Sequence, residues 1–106
     1  MTYVFDLDGT LCTQASGDYS AARPLEANIK VVNRLYNEGH KVIIYTARGM
    51  GRSNNDHKFA NENLYEITAQ QLERWGIKHH ELFLGKPAGD YYIDDKAIRA
   101  ENFFRD

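Results

Sequence analysis

A sheet of mainly parallel strands alternating with helices, the α/β class, is the fold this sequence predicts, and three observations predict it. Short apolar or aromatic runs recur at Tyr3-Val4-Phe5, Val42-Ile43-Ile44-Tyr45, Leu82-Phe83-Leu84 and Tyr91-Tyr92-Ile93. Helix-periodic segments separate the first run from the second and the second from the third, the alternation that builds parallel sheets with right-handed crossovers. Each run also ends in a polar element: Asp6-Leu7-Asp8-Gly9-Thr10, Thr46, Lys86 and Asp94-Asp95. In an open α/β sheet such strand ends converge on one edge.

The elements follow in order. Residues 3–7 form a short, nearly continuous apolar run, as a buried strand requires. Residues 11–24 lack helical periodicity and carry Ser16, Gly17, Asp18 and Pro24, so a loop or small hairpin is expected. Pro24 suits the first turn of a helix, Leu25, Ile29, Val32 and Leu35 recur at helical spacing, and Gly39 is placed to end it. Lys41 to Tyr45 is the second strand. Ala47 to Asn63 reads as a polar, mobile loop entering a second helix. One face of that helix takes Leu64, Ile67 or Thr68, Gln71 or Leu72, and Trp75, before a stop at Gly76 that lets Ile77 pack back. Residues 81–84 give a third strand and 91–93 a fourth, then a short helix through Ile98 and Phe103. Only Gly85 to Asp90 join the last two strands, where a parallel crossover usually takes about a dozen residues, so a compressed, helix-free link is expected.

Composition bounds the rest. A chain of 106 residues suits one compact domain, residues 1–106. Hydrophobic and charged fractions of 42% and 26% are those of an ordinary soluble protein, and a net charge of −2 gives no reason to expect polyanion binding. No apolar run approaches the roughly 20 residues that span a bilayer, and the N-terminus enters a strand without a signal-like segment. The one cysteine, Cys12, agrees with a reducing compartment, so the cytoplasm is the expected location.

Asp6 and Asp8, one residue apart at a strand end, can supply a nucleophile and a proton donor to the same small anion, and the spacing alone does not choose between them. The alternative is a plain Asp-Gly turn. Lys86 offers a compact positive charge and Pro87 restrains its backbone. Arg48, Arg52, His57 and Lys58 follow Thr46 and are candidates to read a second acidic group, Arg48 first by proximity. His79-His80 invites a metal reading, but adjacent strand residues face opposite sides, so it reads as surface. Cys12 reads as small buried packing.

The ordered set of Asp6 and Asp8, Thr46, Lys86, and Asp94 with Asp95 resembles the haloacid dehalogenase superfamily of phosphohydrolases over nearly the whole chain. Tyr-Thr-Ala-Arg and Tyr-Ile-Asp-Asp-Lys-Ala look like the small capless capsule-biosynthesis phosphatases within it. The resemblance implies a compact Rossmann-like three-layer domain of about four strands without a large cap domain. It makes Asp6 the nucleophile, forming an aspartyl-phosphate, and Asp8 the acid–base. Thr46 and Lys86 then bind the phosphoryl group, Lys86 also restraining Asp6, and Mg²⁺ is held by the Asp6 carboxylate, the Asp8 main-chain carbonyl and Asp94. Asp95 would act through water or by orienting its neighbour.

The implied activity is phosphomonoester hydrolysis on a small phosphorylated metabolite such as a sugar phosphate, with a role in polysaccharide biosynthesis. With residues 11–24 in place of a cap, the site is open or covered by another subunit of a homo-oligomer, the 12–22 hairpin and Phe103 or Phe104 being candidate contacts. Two other functions fit parts of the pattern. A nucleic-acid end phosphatase would suit an open site, but the chain lacks a dense basic and aromatic surface signature. A non-catalytic phosphoacceptor or binding module would combine similar residues, but in signalling receivers the acidic pair comes first and the acceptor mid-chain.

Overall fold

The computed structural model describes residues 1–14 and 17–105. Its sheet has three parallel strands, β1 (Thr2–Phe5), β2 (Lys41–Thr46) and β3 (Glu81–Leu84), in the order β1-β2-β3. Helix α1 (Glu26–Asn37) joins the first pair and α2 (His57–Arg74) the second; α3 (Ala100–Phe103) is a single turn near the C-terminus. Tyr3 pairs with Val42 and Phe5 with Ile44, while Ile44 pairs with Leu82 and Thr46 with Leu84. Paired residues of parallel strands share a face, so Tyr3, Phe5, Val42, Ile44, Leu82 and Leu84 point the same way.

That face holds the core. Val42 and Ile44 are fully buried and join Ile29, Val32 and Leu35 of α1 and Ala60 and Leu72 of α2 in one cluster. Phe103 and Phe104 close it against Phe5, with ring centroids 5.6 and 6.0 Å away. The opposite face leaves Val4 58% and Phe83 47% exposed. The helical cover therefore lies over one side of the sheet among the described residues.

Both long helices stop in the same way. After α1, the Gly39 N–H donates to Tyr36 and the His40 N–H to Leu35; after α2, the Gly76 N–H donates to Glu73 and the Ile77 N–H to Leu72. These paired bonds need a left-handed residue, which Gly39 (φ +93°) and Gly76 (φ +70°) supply. Ile77 packs back as expected and is buried. At the other end of α2, Asp56 accepts from the N–H groups of Lys58 and Phe59, so the helix begins inside the segment expected as loop. Pro24 lies before α1 rather than in its first turn, which begins at Glu26 after Leu25.

The fourth strand expected at 91–93 is absent from the described sheet. Tyr91 and Ile93 are 86% and 98% exposed, and the chain from Gly85 to Arg99 has no regular structure. Its six-residue link is too short for an ordinary crossover, and alternation alone does not make a strand without a partner. The final helix is also shorter than expected, leaving Ile98 outside it. The described residues of 11–14 and 17–24 are tied together by local bonds: the Thr13 N–H donates to Arg23, the Leu25 N–H to Leu11, and a 3-10 turn spans Tyr19–Ala21. Ser16 in the expected turn lies outside the described residues. No described helix is long and apolar enough to cross a membrane.

Candidate active site

The ends of all three strands meet around a pocket of about 430 Å³ lined by Asp6, Asp8, Thr46, Arg48, Lys86, Tyr19 and Tyr92, with Gln14, Gly17, Ala47 and Gly89 completing it. The turn after β1 sets the first two residues. The N–H groups of Thr10, Leu11 and Cys12 all donate to the Leu7 carbonyl, and the Gly9 N–H reaches back to Cys12. This tight winding needs Gly9 at φ +84° and leaves Asp6 and Asp8 on the pocket side of a buried Leu7.

Asp6 is held from two directions. Lys86 Nζ lies 3.5 Å from its Oδ1, and the Thr10 hydroxyl donates to its Oδ2 at 3.4 Å. Thr10 thus serves Asp6. Burial pushes the Asp6 carboxyl above the usual carboxylate range, while Lys86 opposes that rise. Lys86 itself comes from the chain leaving β3, where its N–H donates to the Thr46 carbonyl, and its ammonium sits 4.3 Å from the centroid of the Tyr92 ring. Thr46 ends β2 fully buried; its hydroxyl oxygen accepts the Arg48 N–H at 3.2 Å, leaving its own proton free to point at a pocket anion.

Arg48 takes a position that sequence could not give. Its side chain is buried beneath the pocket, and its guanidinium grips both oxygens of Asp8 at 3.0 Å. Further donors reach Thr68 and Gln71 on the inner face of α2. The guanidinium is thus engaged by Asp8, Thr68 and Gln71. Cys12 lies against the same pair, its thiol 3.3 Å from Asp8 Oδ1, and burial pushes that thiol up to about 12, so it is packing rather than a nucleophile.

Asp94 and Asp95 are exposed on the irregular segment. Asp94 borders a second, larger cleft of about 750 Å³ that also touches Asp6 and Lys86, but it accepts the N–H of Lys96 on its own loop. That bond, with Asp95 beside it, holds its carboxyl below the usual range. Among the described residues no three His, Cys, Asp or Glu side chains are grouped to hold a metal ion. Both Asp8 carboxylate oxygens face Arg48, while the Asp6 carboxylate lines the pocket beside Lys86. The histidine pair makes local contacts: His80 Nδ1 accepts the Val42 N–H and its ring stacks on Tyr36, while His79 Nδ1 meets the Ile77 carbonyl.

Sequence reasoning missed Tyr19, Gln71 and Tyr92. The polar Thr68 and Gln71 at helix positions shared with apolar neighbours were the signal for a buried charge beneath them.

A structural-genomics target from Vibrio cholerae superposes with a TM-score of 0.89 at 28% identity, over 97% of this chain and 86% of that one. A D,D-heptose 1.7-bisphosphate phosphatase from B. bronchiseptica, complexed with magnesium and phosphate, shares the fold with a TM-score of 0.54 at 19% identity. That match covers 91% of this chain and 53% of the other. No curated protein sequence matches the chain. Residues 3–71, which carry Asp6, Asp8, Thr46 and Arg48, match a family model, and the chain belongs to the haloacid dehalogenase-like hydrolases.

Proposed function

We propose that this hydrolase, acting as one domain over residues 1–106, is a Mg²⁺-dependent phosphomonoesterase that works through an aspartyl-phosphate. The observation that carries the reading is the meeting of Asp6, Asp8, Thr46 and Lys86 around one small pocket. An Asp6 carboxylate oxygen attacks phosphorus, and the bond to the leaving oxygen breaks as Asp8 gives that oxygen a proton. Asp8 then takes a proton from water, whose oxygen attacks phosphorus and releases free phosphate and the Asp6 carboxylate. Lys86 and the Thr46 hydroxyl offset the charge on the transferring group throughout.

Asp6, the Asp8 main-chain carbonyl and Asp94 are the oxygen donors that would hold Mg²⁺, with Asp95 behind them. When bound, the ion supplies charge neutralisation between Asp6 and the phosphoryl oxygens. The preferred substrate class is a small phosphorylated metabolite such as a sugar phosphate. The pocket volume supports it. The neighbouring heptose bisphosphate phosphatase is of the same kind.

The test is Mg²⁺-dependent phosphate release across sugar phosphates, nucleotides and a 3′-phosphorylated oligonucleotide, beside Asp6→Asn and an EDTA control. Multiple turnovers on a sugar phosphate, lost in both controls, are expected. Preference for the oligonucleotide would move the substrate class to nucleic-acid ends. Stoichiometric phosphorylation without turnover would replace the enzyme with a phosphoacceptor.

A further inference from the structure

We infer that Arg48 is the positioning residue of Asp8, the acid–base of the phosphatase reading on which this inference rests, and does not read substrate charge. The guanidinium meets Asp8 fork to fork, Nε on Oδ2 and Nη2 on Oδ1, both at 3.0 Å. Such a bidentate pair fixes the direction of the carboxylate as well as its place. The arginine is fixed in turn: Nη1 donates to Thr68 Oγ1 at 3.3 Å and to Gln71 Oε1, and the main-chain N–H donates to Thr46.

Tyr19 closes the arrangement from the other side. Its ring centroid lies 4.7 Å from the guanidinium carbon, its carbonyl accepts from Gln71 Nε2 at 2.8 Å, and its hydroxyl accepts the Gly49 N–H at 3.1 Å. The Arg48 side chain has no exposed surface, whereas Asp8 keeps 14% of its own, on the pocket side. To bind a substrate anion, Arg48 would have to leave two charge-assisted bonds to Asp8 and the acceptors of α2. The geometry therefore assigns it to holding the Asp8 carboxylate in one place and orientation beside the pocket.

The experiment is steady-state kinetics of Arg48→Lys and Gln71→Met on an alkyl monophosphate, an alkyl bisphosphate and p-nitrophenyl phosphate, with melting curves of each variant. Lysine keeps the charge but loses the fork. Misplacing an acid by about an ångström costs on the order of 100-fold, so kcat on the alkyl ester is expected to fall roughly 10- to 100-fold with KM little changed. The kcat/KM loss should be smaller for p-nitrophenyl phosphate, whose leaving group departs without a proton. Gln71→Met should show the same pattern, weaker, and carries the test if Arg48→Lys does not fold.

Equal losses on alkyl and aryl esters, or a raised KM confined to the bisphosphate with kcat kept, would overturn the inference while leaving the phosphatase standing. A wild type without turnover on any ester would remove both.

Discussion

Replacing Gly49 with alanine puts the loop beneath the pocket under direct test. Gly49 sits at φ +79°, where a Cβ would lie 2.5 Å from Leu64 Cδ1 and 3.4 Å from both Cα and Cβ of Ala60. The left-handed backbone costs an L-residue about 1–2 kcal/mol. The Leu64 methyl must shift to make room, the Ala60 atoms lying at ordinary contact distance, and overpacking of this kind costs about 1–3 kcal/mol. Together these come to about 2–5 kcal/mol. The entropy of unfolding a chain of this length converts each kcal/mol to about 4–5 °C, so Tm should fall by roughly 8–25 °C.

Thermal melts followed by circular dichroism measure this, with Gly51→Ala as the companion. Gly51 has open space around it and an ordinary φ, so that variant should be neutral or about 0.4–1 kcal/mol more stable. A Gly49→Ala protein melting within about 3 °C of wild type would refute the account of close packing between this loop and α2. Well below its Tm, the variant should also lose activity, because Gly49 follows Arg48 and donates to Tyr19.

Further outcomes follow from the same contacts. Burial raises the Asp6 carboxyl, so the folded state binds the proton more tightly than the unfolded chain, and wild-type stability falls as pH rises from the ordinary carboxylate value through the raised one. The Asp6→Asn variant carries an amide with no such proton; melts in EDTA should show it gaining on wild type across that window, and a gap moving the other way would contradict the burial argument. Cys12 should resist iodoacetamide at pH 8 in the native protein and react fully in denaturant; rapid native labelling would show the Asp8–Arg48 floor to be open. Asp94→Asn should raise the Mg²⁺ concentration needed for half-maximal activity, with excess metal restoring much of the rate; unchanged metal dependence would remove Asp94 from the ligand set. Asp56→Ala removes the acceptor of two N-terminal α2 bonds and should cost about 1 kcal/mol, visible as a Tm drop of about 4–5 °C.

What the sequence made plain was whatever depends on neighbours in the chain. Residues 81–84 form β3 as expected, and both helices end at the glycines placed to end them, because a left-handed stop is a property of a few consecutive residues. The Asp6–Lys86 pairing was expected too, since strand ends of a parallel sheet share an edge. The pairing of Arg48 with Asp8 was not legible, because the partner lies 40 positions away and nothing local distinguishes an arginine facing solvent from one facing a buried acid. The burial of Arg48 also settles the face of α2: Thr68 and Gln71 turn inward as acceptors, and Ile67, the apolar choice, is left 38% exposed. Tyr91-Tyr92-Ile93 has a strand's composition, but pairing is a long-range event, and Tyr92 instead hydrogen-bonds to Pro87 and covers Lys86.

The register of the sheet carries a kinetic consequence. Thr2 meets Lys41 and Ile43 meets Glu81, so neither strand pair can form until a loop of about forty residues has closed. A hairpin protein can assemble its ladder one turn at a time; this chain cannot, and slow folding with few local rewards is the expected result. Asp6, Arg48 and Lys86 follow the three successive strands, so the pocket they line needs both strand pairings in place. Recovery of turnover after a denaturant jump should therefore follow the slowest structural phase, with no active species ahead of the complete sheet.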